Sequence, residues 1–346
     1  MSVVETPATE AELVAIVTQA AAARRPVRVG RPSRSRHRRG PEILIDLSRY
    51  QRPLHLDGDA GEATFEAGIT LRRLAWVLSS WGLTTRNGGR DPAQALGAAV
   101  SVGAHGSAAR LGSLATEVTG MRLVTPGGEV VVCSAAEEPE IFDAARIGLG
   151  ALGVISTVTV LVELGFNLRS AASSVPLDEA IDRFDAYADG NDYVELSWLP
   201  GRDRARVMTA NRSDDRPDAK AVDRCYRWWN RRRLPAPRLS YAFARHDSGR
   251  ALTRARELSA GQRSALPFPI EVSVTAGDDL PLSPTQGQPS LFIAGVAGLD
   301  GRPEWGGPHG ASEASLRARY PRWDEWQAVR ERLDPQRCFA HNSGHG

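Results

Sequence analysis

A run of small residues from Gly97 to Ser107, with the sequence GAAVSVGAHGS, is the part of this 346-residue chain best suited to ligand binding. Glycines leave the main chain uncovered, so backbone N–H groups can approach a ligand, and nucleotide phosphates suit such groups well. The spacing matches neither GxxxxGKS/T nor GxGxxG, which excludes the P-loop and Rossmann arrangements. An ordinary glycine-rich surface loop is the alternative interpretation.

A run of arginines is the second feature that could bind phosphate. Its members are Arg31, Arg34, Arg36, Arg38 and Arg39. Guanidinium groups form charge-assisted hydrogen bonds with phosphate or with an acidic partner. A solvated loop would have the same composition, so both interpretations stay open.

Local patterns predict the elements that must hold these two runs in place. Thr9 followed by Glu12 is a capping pattern, and it predicts a helix that continues to about Ala23. The other predicted elements before residue 165 are strands at 26–30, 43–47, 63–68, 118–126, 130–132 and 158–162, with a turn at 126–128, and helices at 70–78 and 139–146. A second glycine-rich stretch, residues 148–155, leads into the last of these strands.

Composition excludes several classes of protein. No apolar run approaches the ~20 residues that a membrane span needs, and the N-terminus has no signal-peptide pattern. The net charge of +2 argues against nucleic acid as a partner, although residues 214–233 mix basic and aromatic side chains. Three widely spaced cysteines form no metal-binding pattern. We therefore expect a cytoplasmic protein without a metal site.

Five segments in register resemble the FAD-binding domain of the vanillyl-alcohol oxidase superfamily, within its sugar-lactone and alditol oxidase branch. They are FEAGITLRRL (65–74), SVGAHGS (101–107), GSLATEV (112–118), LVTPGGEVV (123–131) and FDAARIGLGALGVISTVT (142–159). The resemblance implies an α+β fold. Residues 1–165 would form a two-subdomain, PCMH-type FAD-binding domain, and residues 166–346 a substrate domain with an antiparallel sheet.

The resemblance also assigns the residues that would contact FAD. Two backbone loops grip the pyrophosphate in this family, and a third segment lines the flavin and the adenosine end. The corresponding residues are Gly30, Arg31, Ser33, Arg34 and Ser35 in the first loop, Val102, Gly103, Ala104, His105, Gly106 and Ser107 in the second, and Gly153, Val154 and Ile155 in the third segment.

The first loop departs from the family pattern VRxxGxGHS, in which the His of many members is bonded covalently to the flavin. Arg34 occupies that position and cannot form the bond, and His37 lies three residues further on. The departure predicts non-covalently bound FAD. Pro32 removes one N–H donor from the loop, and the neighbouring arginines could offset that loss.

The substrate half keeps one of the residues that the family uses and lacks others. Glu271 matches the Glu of the family's Glu-x-Arg pair, whereas Ser273 stands at the Arg position. In the segment that resembles RPHWGK, Glu304 replaces the His and Gly307 the Lys. Glu271 is predicted to be the base or anchor.

Two histidines, His309 and His341, are possible helpers of Glu271, and a surface position is the alternative for each of them.

Three functions are compatible with this sequence. The first is an FAD-dependent oxidoreductase that oxidises an alcohol-type carbon by hydride transfer, with O₂ or another electron acceptor and with a site altered towards a less polar small molecule. The second is the family's sugar-lactone or alditol oxidation, with the missing cations supplied from elsewhere in the chain. The third is a degenerate member that binds FAD weakly or not at all and serves as a partner or scaffold.

Overall fold

A computed structural model describes residues 3–31, 42–213, 239–261 and 268–339. Its strands are β1 Val3–Glu5, β2 Val27–Val29, β3 Ile43–Ile45, β4 Pro53–Asp57, β5 Glu62–Glu66, β6 Leu83–Thr84, β7 Val118–Val124, β8 Val130–Ser134, β9 Val154–Leu161, β10 Glu163–Leu164, β11 Asn167–Pro176, β12 Tyr193–Trp198, β13 Arg204–Ser213, β14 Ser240–Ala244, β15 Ile270–Thr275, β16 Ser290–Ala294 and β17 Arg302–Pro303. The helices are α1 Glu10–Ala22, α2 Leu71–Ser80, α3 Leu96–Ser101, α4 Pro139–Arg146, α5 Leu177–Asp182, α6 Phe184–Asp189, α7 Ser248–Gly261, α8 Glu313–Arg319 and α9 Trp323–Leu333. The predicted α+β class is confirmed.

Two sheets share one hydrophobic core in the first half of the chain. One is parallel, in the order β1-β3-β2, and the other is antiparallel, in the order β4-β5-β9-β7-β8. The local signals act as predicted, because the Thr9 hydroxyl accepts a hydrogen bond from the Glu12 N–H at 3.2 Å and caps α1.

A seven-stranded antiparallel sheet organises the second half, in the order β11-β13-β12-β15-β16-β14-β17. Residues alternate between its two faces. On β15, Ile270, Val272 and Val274 point into a core shared with α5, α6 and α7, whereas Glu271 and Ser273 point to the opposite face. That opposite face carries the residues of the candidate site.

The end of the described chain returns to the first core. Trp326 of α9 and Phe339 are buried there, and the Val27 N–H of β2 donates to the Cys338 carbonyl at 2.8 Å. The division at residue 165 stays a prediction. Within the described ranges, no helix combines the length and apolar character needed to cross a bilayer.

Most of the run from Gly97 to Ser107 is buried rather than a surface loop, so the alternative interpretation of it is wrong. Its first part lies in α3, where Ala99 and Val100 belong to the core. A Cβ at Gly97 would lie only 2.9 Å from the Ala67 Cβ. The sequence suggested exposed backbone because it lacks large side chains, but small side chains also permit close helix packing.

The loop before α3 packs on the end of this run. A Cβ at Gly106 would lie 2.1 Å from the Asn87 Oδ1 atom, and the Asn87 side chain donates to the Gly112 carbonyl at 2.7 Å. Steric crowding therefore explains why residue 106 is a glycine, independently of any ligand. Arg90, three residues after Asn87, contacts the sheet through Glu195 and Glu271.

Replacing Gly106 by Ala should destabilise the fold by about 1–3 kcal/mol, because Asn87 must move and give up its hydrogen bond. Gly58→Ala is the matched control, since a Cβ there meets nothing within 4 Å. Urea unfolding of both variants measures the difference. Equal stability of the two variants would contradict the packing argument.

Candidate active site

The glycine-rich run is attached to the seven-stranded sheet through Ser107. The Ser107 hydroxyl donates to the Val194 carbonyl of β12 and accepts from the Val274 N–H of β15 at 3.1 Å. The Val194 N–H donates to the Ser107 carbonyl at 3.0 Å. The Ser107 side chain is thus used to hold the run on the sheet, and its backbone N–H is the group left to meet a ligand.

The backbone donors of this run divide into two sets. The N–H groups of Gly103 and Ala104 donate to the carbonyls of Val100 and Ala99 and finish α3. Within the described ranges, no residue accepts a hydrogen bond from the N–H groups of His105, Gly106 and Ser107, although all three residues are buried. Buried N–H groups without an acceptor are rare in folded proteins, so these three fit an anionic ligand.

The other two predicted loops are only partly described. The Gly30 N–H donates to the Ile45 carbonyl at 3.0 Å, and Arg31 is half-buried. Ser33, Arg34 and Ser35 lie outside the described residues, as do Pro32, His37, the rest of the arginine run, residues 214–238 and His341.

The second glycine-rich stretch packs beside the first. The Leu149 N–H donates to the Ser101 carbonyl at 3.0 Å. Gly153 has a φ of +152°, and a Cβ there would meet the Val124 carbonyl oxygen at 2.8 Å. Val154 and Ile155 begin β9 and pair with β7.

An ion-pair cluster joins the two halves of the chain at the strands that Ser107 contacts. One guanidinium nitrogen of Arg90, Nη2, lies 2.5 Å from Oε1 of Glu195 and 2.9 Å from Oε2 of Glu271. Arg90 belongs to the loop between β6 and α3, whereas the two glutamates belong to β12 and β15. Burial alone would lower the pKa of Arg90, but Glu195, Glu271 and Glu304 raise it above its ordinary value. Arg90 is therefore a permanent cation.

A second pair of charged or polar groups, His105 and Glu304, lies beside this cluster. The His105 Nδ1 atom is 2.8 Å from the Gly106 carbonyl oxygen, which can only accept, so Nδ1 carries a proton. Nε2 lies 3.6 Å from Oε1 of Glu304, and the ring stacks on Phe292 at 3.9 Å between centroids. Burial would raise the pKa of Glu304, but His105 and the charge of Arg90 lower it to about 2.

His309 occupies a buried position, so the surface alternative for this residue is wrong. Its ring packs edge-on against Trp305, with the centroids 5.5 Å apart. The same segment approaches the glycine-rich run, because a Cβ at Gly306 would lie 3.7 Å from Cγ2 of Val102. The catalytic role predicted for His309, like that of Glu271, stays a prediction.

Sequence reasoning missed Arg90 and Glu195. Arg90 follows the residues NGG, a few positions before the glycine-rich run, and Glu195 lies in an alternating stretch typical of a strand, so each carried a weak positional signal. The pairing of Ser197 with Glu271, which sets Glu195 near β15, is a property of the sheet register.

Comparison with known proteins identifies the family. The profile of a family described as FAD binding domain matches residues 1–134, and that of D-arabinono-1,4-lactone oxidase matches residues 158–235 and 295–343. L-Gulono-1,4-lactone dehydrogenase of Mycobacterium tuberculosis is 30% identical over 99% of this chain and 94% of its own length. The chain belongs to the family of FAD-dependent sugar-lactone oxidases and dehydrogenases.

Further similarities agree with this assignment. L-Gulonolactone oxidase of Bos taurus is 26% identical over 86% of this chain and 83% of its own length. The crystal structure of cholesterol oxidase from Brevibacterium sterolicum superposes with a TM-score of 0.77 at 16% identity, over 98% of this chain and 92% of that one, and shows the fold.

This lactone oxidase family member uses FAD as its cofactor and is an oxidoreductase that acts on CH–OH groups. The residues present fit that cofactor. The three buried N–H donors of His105, Gly106 and Ser107 suit its pyrophosphate. The buried hydroxyls of Ser273 and Thr275, which have no hydrogen-bond partner in the described part of the chain, offer polar groups on the facing sheet.

Replacing Glu304 by Gln should destabilise the protein in a pH-dependent way. A carboxyl whose folded-state pKa is depressed from 4.5 to about 2 stabilises the fold above the unfolded pKa, and this stabilisation is lost as the pH falls through the folded pKa. We expect a loss of about 2 kcal/mol at neutral pH that shrinks as the pH falls from about 4.5 towards about 2.

Urea unfolding at a series of pH values measures this loss. Glu325→Gln, which removes an exposed carboxylate paired with Arg322, is the control and should cost less than about 1 kcal/mol. A difference between wild type and Glu304→Gln that is constant with pH would refute the assignment.

Proposed function

We propose that this protein oxidises the CH–OH carbon of a small hydroxylated molecule of the sugar-lactone or alditol type, by hydride transfer to non-covalently bound FAD. The position of Glu271 carries the proposal. Its carboxylate lies on the sheet face that the glycine-rich run packs against, since His105 of that run stacks on Phe292 of the same face. It is paired with Arg90, and 17% of the Glu271 side chain is exposed. It can accept a hydrogen bond from a substrate hydroxyl there.

The chain's own residues would prepare the alcohol for oxidation. Glu271 would orient the hydroxyl and take up its proton, since a carboxylate within hydrogen-bond reach of a reacting proton is a suitable general base. FAD supplies the acceptor for the hydride, and O₂ or another electron acceptor would reoxidise it. His309 is the second proposed catalytic residue.

The substrate site is proposed to differ from that of other family members. Ser273 stands at a position where the family has Arg, and it is 1% exposed. Gly307 stands where the family has Lys. A site without these two side chains has room for a different substrate, and the names of the relatives in this family support a lactone or related polyol as the starting class.

Acid precipitation should release the flavin into the supernatant, because Arg34 cannot form a covalent bond to it. The absorption spectrum of the purified protein, recorded before and after precipitation, measures this. A yellow pellet would instead show a covalent link and overturn the placement of Arg34. A colourless protein that takes up no added FAD would favour the degenerate alternative.

Glu271→Gln should lower the rate of flavin reduction by about 100-fold or more, because the amide cannot take up the proton of the substrate. Anaerobic mixing with a panel of lactones, alditols and less polar alcohols, followed by bleaching of the flavin absorbance, identifies the substrate and gives the rate. Glu179→Gln, which breaks an exposed pair with Arg183, is the control. Equal rates for Glu271→Gln and the control would exclude Glu271 as the base.

A further inference from the structure

Arg90 uses only part of its hydrogen-bonding capacity within the ion-pair cluster. Both contacts, to Glu195 and to Glu271, are made by the same nitrogen, Nη2. A guanidinium has further N–H donors on Nε and Nη1. Among the residues that the structure describes, none accepts a hydrogen bond from these atoms, and 30% of the side chain is exposed. The cluster therefore fixes one nitrogen of the planar, fork-shaped guanidinium of Arg90 and leaves the N–H donors on Nε and Nη1 available. We call this group the Arg90 fork.

The two glutamates explain why this fork has a fixed orientation. They reach Nη2 from neighbouring strands, because β12 pairs directly with β15. Side chains on paired strands have little freedom to separate, so a guanidinium held by both is preorganised. Preorganised, charge-assisted donors are the ones that contribute most to recognition of an oxygen ligand.

The Arg90 guanidinium lies beside a strand position that lacks a cationic side chain. Ser273 follows Glu271 by two residues on the same face of β15, and its short side chain supplies no positive charge. Arg90 approaches Glu271 from the other half of the chain, 181 residues away in sequence. A cation absent from the strand is thus supplied by the loop that precedes the glycine-rich run.

We propose that Arg90 determines substrate specificity by binding an oxygen on the carbon next to the carbinol that Glu271 engages. This inference rests on the proposed function. Because Arg90 and Glu271 are in direct contact, a molecule whose hydroxyl meets Glu271 presents its neighbouring atoms to the Arg90 fork. Within the sugar-lactone or alditol class proposed above, Arg90 would bind the hydroxyl or carbonyl oxygen that lies one carbon away from the reacting one.

The experiment compares a substrate found by flavin bleaching with its analogue that lacks the neighbouring oxygen. Wild type should prefer the intact substrate by tenfold or more in kcat/KM, since a charged hydrogen bond to it is lost in the analogue. Arg90→Gln should abolish most of this preference by lowering kcat/KM for the intact substrate. Arg90→Lys should have an intermediate preference. Arg122→Gln, which breaks the two-fold contact with Glu10 in the first half, should keep the full preference.

A binding measurement complements the kinetics. The carbonyl product keeps the neighbouring oxygen, so it should raise the midpoint of thermal unfolding of the FAD-loaded wild type more than the deoxy product does. Arg90→Gln should respond equally to both products. If that variant fails to fold because Glu195 loses its ion pair with Arg90, the double variant Arg90→Gln/Glu195→Gln replaces it. Adding Ser273→Arg to the folded Arg90→Gln background should restore part of the preference, because it places a cation on β15 beside Glu271.

The outcomes separate the two proposals. If the wild-type protein binds FAD but no alcohol bleaches its flavin, the proposed function is contradicted, and this inference with it. If a substrate bleaches the wild-type flavin and Arg90→Gln keeps the tenfold preference, only the role of Arg90 is contradicted. An equal loss on substrate and analogue, with no change in their ratio, would make Arg90 a structural link between the halves and overturn the inference.

Discussion

The attachment of the glycine-rich run to the seven-stranded sheet is the interaction on which the site depends. Ser107 contacts both β12 and β15, so one small residue fixes the distance between the glycine-rich run and the face that carries Glu195 and Glu271. A side chain without a hydroxyl at position 107 would leave the Val274 N–H without its acceptor. The position of the ion-pair cluster relative to the run follows from this attachment.

The glycines of the run serve packing as well as binding. Gly97 and Gly106 lie too close to Ala67 and Asn87 to accept a Cβ without movement. Their presence in the sequence would therefore be expected even in a degenerate relative, and it does not by itself argue for FAD. A bound anion is favoured instead by the N–H groups of His105, Gly106 and Ser107, which are buried without an acceptor in the described structure.

A compact set of charged side chains lies at the junction of the two halves of the chain. Arg90 meets Glu195 and Glu271, and Glu304 faces His105 and contributes to the raised pKa of Arg90. Buried or half-buried charges are costly unless they are paired, so each partner stabilises the charged form of the other. The junction thus has a cation beside the Glu271 carboxylate, although Ser273 and Gly307 stand where the resemblance predicts Arg and Lys.

The sequence by itself determined the local elements and the family. Thr9 and Thr70 cap their helices as predicted, α4 has the predicted bounds, and the hairpin of β7 and β8 turns at Pro126. These features depend on residues a few positions apart, where capping and turn preferences decide the conformation. Only the tertiary structure decided that the glycine-rich run is buried and that Arg90 meets Glu195 and Glu271, residues 105 and 181 positions away. Such contacts depend on strand register and on how two sheets pack, and the physical reason that one sequence cannot reveal them is that no local preference encodes either.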